Sequence, residues 1–220
     1  MRTTSLLAPL LAANLAAASP VPAESPAEDA PAAAPRVVSI TYSGKGCPSA
    51  SPGVERSGGD DAPSLRLNAF EAQVPGAADA ASVHCQAHLQ LQLAGTGTAG
   101  WQAAVRDVAV RGHLVLDPGA SLDWYVTSFW SEDADKTSTL RGTLKNEGSS
   151  RLSEDVTARG TVPAAQVAWS RCTTSSGYVG LLNVNFRVAL QQAAASQHGY
   201  FGKDPDTAPS ETWGYVWRRC

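Results

Sequence analysis

Val83-His84-Cys85-Gln86-Ala87-His88-Leu89-Gln90-Leu91-Gln92-Leu93 alternates without a break. Val83, Cys85, Ala87, Leu89, Leu91 and Leu93 fall on one side; His84, Gln86, His88, Gln90 and Gln92 fall on the other. A period of two is the pleat of a strand with one dry face and one wet face. Leu181 to Gln191 repeats the pattern: Leu182, Val184, Phe186, Val188 and Leu190 face in, while Asn183, Asn185, Arg187 and Gln191 face out.

Working outward, the same reading predicts strands over Val37–Ser43, Leu65–Phe70, Val105–Leu116, Leu122–Trp130, Thr139–Lys145, Leu152–Ala158, Val167–Ser170 and Trp213–Arg218. Turn signals separate them, among them Gly58-Gly59-Asp60, Pro75-Gly76, Gly95-Thr96-Gly97, Asn146-Glu147-Gly148 and Asp204-Pro205-Asp206. Asp117-Pro118-Gly119 between two apolar strands suggests a hairpin. Ala189–Gln197 is the one helix candidate, and it overlaps a strand. Many short strands without a βαβ rhythm predict an all-β fold, an antiparallel β-sandwich of jelly-roll or immunoglobulin-like topology.

The 220 residues carry 17 Lys+Arg against 20 Asp+Glu, and 43% are hydrophobic. That is enough apolar surface for a core, and the charge balance argues against a basic nucleic-acid binder. No apolar run is long enough for a spanning helix. Met1-Arg2, an apolar run from Leu6, and Ala16-Ala17-Ala18 read as a secretory signal over residues 1–18. Residues 19–35, with Pro20, Pro22, Pro26, Pro31 and Pro35 and no aromatic, read as a linker or pro-segment. Residues 36–220 are the expected single domain. Removing Arg2, Glu24, Glu28 and Asp29 leaves it close to neutral, so steering of a polyanion is not expected.

Cys47, Cys85, Cys172 and Cys220 all lie in the expected exported part. Four cysteines in an oxidising compartment read as two disulfides, with three possible pairings. Nearest-neighbour pairing, Cys47 with Cys85 and Cys172 with Cys220, is the expectation. Each loop closure is worth about 4 kcal/mol in the chain-entropy view. The C-x-x-C spacing of a zinc ribbon is missing.

Tyr42-Ser43-Gly44-Lys45-Gly46-Cys47-Pro48, Cys85-Gln86-Ala87-His88-Leu89-Gln90-Leu91, Trp169-Ser170-Arg171-Cys172, Leu182-Asn183-Val184-Asn185 and Trp217-Arg218-Arg219-Cys220 follow one another in order. Together they resemble the cysteine landmarks of a family of small secreted proteins, mostly fungal, called domain of unknown function 4360. The resemblance runs from about Val37 to Cys220. It implies secretion and a disulfide-linked β fold, and no accepted activity. Two departures stand out: Val110 precedes Arg111-Gly112 where the family has an aromatic, and Ser196–Glu211 reads as an insertion.

For chemistry, the sequence offers candidates rather than a motif. His84 and His88, four apart on a strand, share a face but stand about 13 Å apart, too far for one ion. No G-x-S-x-G elbow and no phosphate loop is present. Asp107, Asp117, Asp123, Glu132, Asp133, Asp135, Glu154 and Asp155 could supply a carboxylate pair for glycoside cleavage, with Asp123 beside Trp124 and Tyr125 the first choice. Glu132-Asp133-Ala134-Asp135 reads as a solvated acidic turn rather than a calcium loop. The candidate binding residues are aromatic: Tyr125 and Trp130 on one strand, and Tyr200 and Phe201 in the glycine-flanked segment His198-Gly199-Tyr200-Phe201-Gly202.

The expected function is therefore a secreted, non-catalytic β-sandwich that binds cell-wall glycan or a partner protein outside the cell. A small secreted hydrolase using a carboxylate pair is one alternative; a structural cell-surface component or effector is another. A monomer with no cofactor, no metal and no nucleic-acid partner is expected.

Overall fold

The structure, a computed structural model, describes residues 30–32, 35–49, 53–77, 79–95 and 97–220. The expected leader and most of the proline-rich stretch lie outside the described residues. Pro35, the last residue of that stretch, already opens a strand.

Among the described residues twelve strands form: β1 (Pro35–Ser43), β2 (Val54–Ser57), β3 (Ser64–Leu67), β4 (Ala72–Val74), β5 (Ser82–Leu93), β6 (Trp101–Leu116), β7 (Ser121–Trp130), β8 (Thr137–Lys145), β9 (Leu152–Thr161), β10 (Tyr178–Gln191), β11 (Gly199–Gly202) and β12 (Ser210–Arg219). They build two antiparallel sheets, the sandwich the alternation predicts. The first runs β1-β5-β10-β7-β8. The two strands with the cleanest alternation, β5 and β10, pair with each other near its centre. The second sheet is organised on β6. β12 pairs along Trp101–Arg111, β11 continues the same edge over His113–Leu116, and β9 takes the opposite edge over Asp107–Leu116. β3 and β2 extend it beyond β12, and β4 beyond β11.

The dry faces meet between the sheets. Leu89, Leu91, Leu182, Val184 and Phe186 from the first are buried with Leu65, Leu67, Leu114 and Leu116 from the second. Each such side chain stabilises the fold by about 1.5–3 kcal/mol. At one point of the core Phe70 and Phe186 stack with centroids 4.7 Å apart. Phe201 meets both edge-on, at 6.2 and 6.3 Å.

The disulfides pair as nearest neighbours, Cys47 with Cys85 and Cys172 with Cys220, at Cα separations of 5.2 and 6.0 Å. The first is buried. The second is exposed and ties the end of β12 to the segment that precedes β10. Among the described residues no helix is long and apolar enough to cross a membrane.

Three expectations need correction. Asp117-Pro118-Gly119 does not make a hairpin, because β6 and β7 lie in different sheets; it is a corner from one layer to the other. Buried Asn146, at the β8–β9 crossing, holds that corner. Its Nδ2 donates to the Leu116 and Ser150 carbonyls, both at 2.8 Å, and Gly119 N–H donates to its own carbonyl. Val167–Ser170 is not a strand: beyond the end of β9 the chain runs beside β6 on mixed contacts. Ser170 Oγ and Thr173 Oγ1 accept the Ala103 and Trp101 N–H groups at 2.9 Å, so hydroxyls replace ladder carbonyls. Ala189–Gln197 is not a helix: up to Gln191 it is β10, paired with β7, and beyond it the Gln197 side chain closes a turn by accepting the Ala193 and Ala194 N–H groups.

Candidate functional site

On the outer face of the first sheet, the polar halves of the alternating strands line up in rows. Register places His84 beside Arg187, Arg187 beside Tyr125, and Tyr125 beside Arg141. The next row is Ser43, Gln86, Asn185, Thr127 and Thr139. The third is Thr41, His88, Asn183, Phe129 and Thr137. Between β5 and β7 this face sinks into an open groove of about 520 Å³, lined by Ser82, His84, Gln86, Tyr125, Thr127, Phe129, Asn185 and Arg187.

Two half-buried aromatic rings, Tyr125 and Phe129, stand on either side of Thr127 in this groove. They belong to the outward set of β7, whereas Leu122, Trp124, Val126 and Trp130 form its buried set. A strand separates residues four apart by about 13 Å, so the rings flank the amide row instead of stacking on each other.

The amides are partly engaged with one another. Asn185 Nδ2 donates to Gln86 Oε1 at 3.1 Å. His88 Nδ1 lies 2.6 Å from Asn183 Oδ1, and its Nε2 lies 3.1 Å from Ser43 Oγ. Buried Asn183 also donates to Ser131 Oγ at 2.8 Å, anchoring the turn after β7 over the sheet. Arg187 Nε donates to Ser82 Oγ at 3.0 Å. This network fixes side-chain rotamers, so polar groups facing a ligand lose little further entropy on binding. Chemically the groove offers apolar ring faces beside amide, hydroxyl and guanidinium donors and acceptors.

The four aromatic candidates do not come together. Tyr125 lines the groove. Trp130 is in the core, 1% exposed, with its indole N–H donating to the Ala168 carbonyl at 3.1 Å. It is on the opposite face of β7 from Tyr125, as its odd spacing of five requires. Phe201 is 2% exposed within the phenylalanine cluster. The segment around it is strand β11 rather than a loop, and pairing with β6 turns that ring inward. Tyr200 faces the other way, on the outside of the second sheet, and its hydroxyl donates to the Lys203 carbonyl at 2.8 Å. Trp130 and Phe201 therefore offer no surface to a ligand, and Tyr200 is on the far side of the molecule from Tyr125. Phe129, which shares Tyr125's face by its even spacing, joins it in the groove.

Six of the eight acidic candidates, all but Asp135 and Glu154, are held as acceptors. Asp123 accepts from Thr143 Oγ1 at 2.5 Å, and Asp107 from Thr161 Oγ1 at 2.7 Å. A hydrogen bond from Arg151 holds the Asp117 carboxyl below the usual range, and one from Lys136 does the same for Asp133. Glu132 accepts the Tyr178 hydroxyl at 2.5 Å and the Leu181 N–H at 3.0 Å, so the acidic turn is a clasp on β10. Its carboxylate pushes the Tyr178 hydroxyl up to about 12. A general acid needs the reverse environment, one that keeps a carboxyl protonated beside a cleft. Burial does push Glu211 up, to about 8, but Glu211 is enclosed in the protein, 1% exposed.

No curated protein matches the chain. A solved structure of TmCBM61 in complex with beta-1,4-galactotriose is similar over 84% of this chain and 90% of that one, at 11% identity. Its TM-score of 0.24 is too low to bear on fold or ligand. The sequence profile of the domain of unknown function DUF4360 matches residues 33–220, which takes in all twelve strands and both disulfides, and the chain belongs to that family.

Proposed function

We propose that the protein is an exported, non-catalytic binding module that takes an extracellular glycan on the outer face of its first sheet. The observation that carries this reading is the pairing of Tyr125 and Phe129 with the amide row of Gln86 and Asn185 in one open groove. A sugar ring has an apolar C–H face and an equatorial belt of hydroxyls. Aromatic rings cover the first, and fixed amides and Arg187 exchange hydrogen bonds with the second.

Export is supported by the leader-like first 18 residues and by the two disulfides, which persist in oxidising compartments. Binding is favoured over hydrolysis because Asp123, the first-choice carboxylate, and Asp107 accept threonine hydroxyls, while Asp117 and Asp133 are held ionised by Arg151 and Lys136. Retention on insoluble cell-wall polysaccharides, compared between wild type and Tyr125→Ala, tests the reading. Retention by wild type and at least tenfold weaker retention by the variant is expected. A protein ligand would instead leave the polysaccharide fractions empty and capture a polypeptide through the same residue.

A further inference from the structure

On the outer face of the second sheet, away from the groove, three side chains from distant parts of the sequence converge. His113 on β6 is paired in register with Asp155 on β9. Asp204 arrives from the turn after β11, whose Gly202 pairs with His113 from the other edge. His113 Nδ1 lies 3.0 Å from Asp155 Oδ1 and 3.2 Å from Asp204 Oδ2. One donor atom from each residue lies within 4.8 Å of the other two.

We propose that His113, Asp155 and Asp204 form a binding site for one divalent transition-metal ion, with zinc the ion they fit best. An ion about 2.0–2.2 Å from each donor holds neighbouring donors about 3 Å apart, and the two nitrogen–oxygen separations match that spacing. The rest of each side chain is already held by other groups. His113 Nε2 pairs with Ser153 Oγ at 3.2 Å. Asp155 Oδ2 accepts from Thr207 Oγ1 and from Arg111. Asp204 Oδ1 accepts the Asp206 and Thr207 N–H groups at 2.9 and 2.7 Å. When Nε2–H donates to Ser153, the lone pair of Nδ1 faces two carboxylate oxygens, an arrangement that a cation between them stabilises. Outer partners of this kind orient metal ligands and set the histidine tautomer. Zinc and its neighbours accept an imidazole nitrogen with carboxylates, whereas calcium and magnesium prefer oxygen alone. The His113 side chain is 17% exposed and the Asp155 and Asp204 side chains 38% and 29%, so water reaches the remaining coordination positions.

The test is calorimetric titration of the folded, full chain with zinc chloride, with calcium chloride in parallel. Uptake of one zinc per chain is expected, at least tenfold weaker in His113→Gln and in Asp204→Asn, with a zinc-dependent rise in melting temperature that the variants lack. Asp204→Asn changes a turn residue, so it reports even if His113→Gln does not fold. Failure to take up zinc would overturn the proposal. Uptake undiminished in both variants, or calcium bound in preference to zinc, would also overturn it. None of these results depends on whether the groove binds glycan.

Discussion

Glu211 sits on β12 between Leu65 of β3 and Val110 of β6, enclosed among apolar neighbours, and its Oε1 has no hydrogen-bond partner. Burial raises its carboxyl from an ordinary value of 4.5 to about 8. In the unfolded chain the group ionises near the ordinary value. The folded state therefore binds more protons between the two values, and stability must fall as pH rises through that window. The contribution of Glu211 is complete below about pH 4.5 and gone above about pH 8. Melting temperature measured across this range should drop for wild type and drop less for Glu211→Gln. At the same scale, Phe201→Ala removes a ring that contacts two others in the core. It should cost about 3–5 kcal/mol in denaturant unfolding. A loss below about 1 kcal/mol would mean that the ring is not packed as described.

The strands whose alternation runs longest, β5 and β10, form as the sequence predicts, because a half-buried strand writes its two environments into alternate residues. β2, β4 and β11 leave no such mark, because three or four residues cannot establish a period. For the same reason the sequence around Tyr200 and Phe201 reads as a loop: the flanking glycines signal a turn, while the pairing that makes a strand comes from β4 and β6, far away in the chain. Only long-range register puts Phe129 and Tyr125 into one groove with Gln86 and Asn185, or His113 beside Asp155. Residue spacing carries no trace of it. The corner at Asp117–Ala120 shows a further limit, since a turn signal does not say whether the strands it joins will pair or part. Asn146 decides this one by holding two carbonyls from two crossings. Asn146→Ala takes the donor from the buried Leu116 carbonyl, and from the more exposed Ser150 carbonyl, and should destabilise the fold by about 1–3 kcal/mol, read from the shift in denaturant midpoint at unchanged slope.

Across the whole molecule, two surfaces with different chemistry lie on opposite sides of one rigid core. The Cys47–Cys85 bridge, separated by 38 residues, is buried beside that core, while the Cys172–Cys220 bridge, separated by 48, is exposed at its end. The second also holds the C-terminal arginines in place, Arg218 over Trp169 at 4.2 Å and Arg219 over Trp101 at 3.7 Å. Mild reductant should therefore open Cys172–Cys220 first, with thiol labelling at those two positions, and lower stability by about 4 kcal/mol. The most direct measurement for the groove is a glycan array probed with the folded chain and with Tyr125→Ala, both checked for equal melting temperature. Wild type should bind a defined set of extended glycans that the variant loses. Binding that survives the substitution unchanged, or an array on which wild type binds nothing, would contradict the assignment of the glycan site to the outer face of the first sheet.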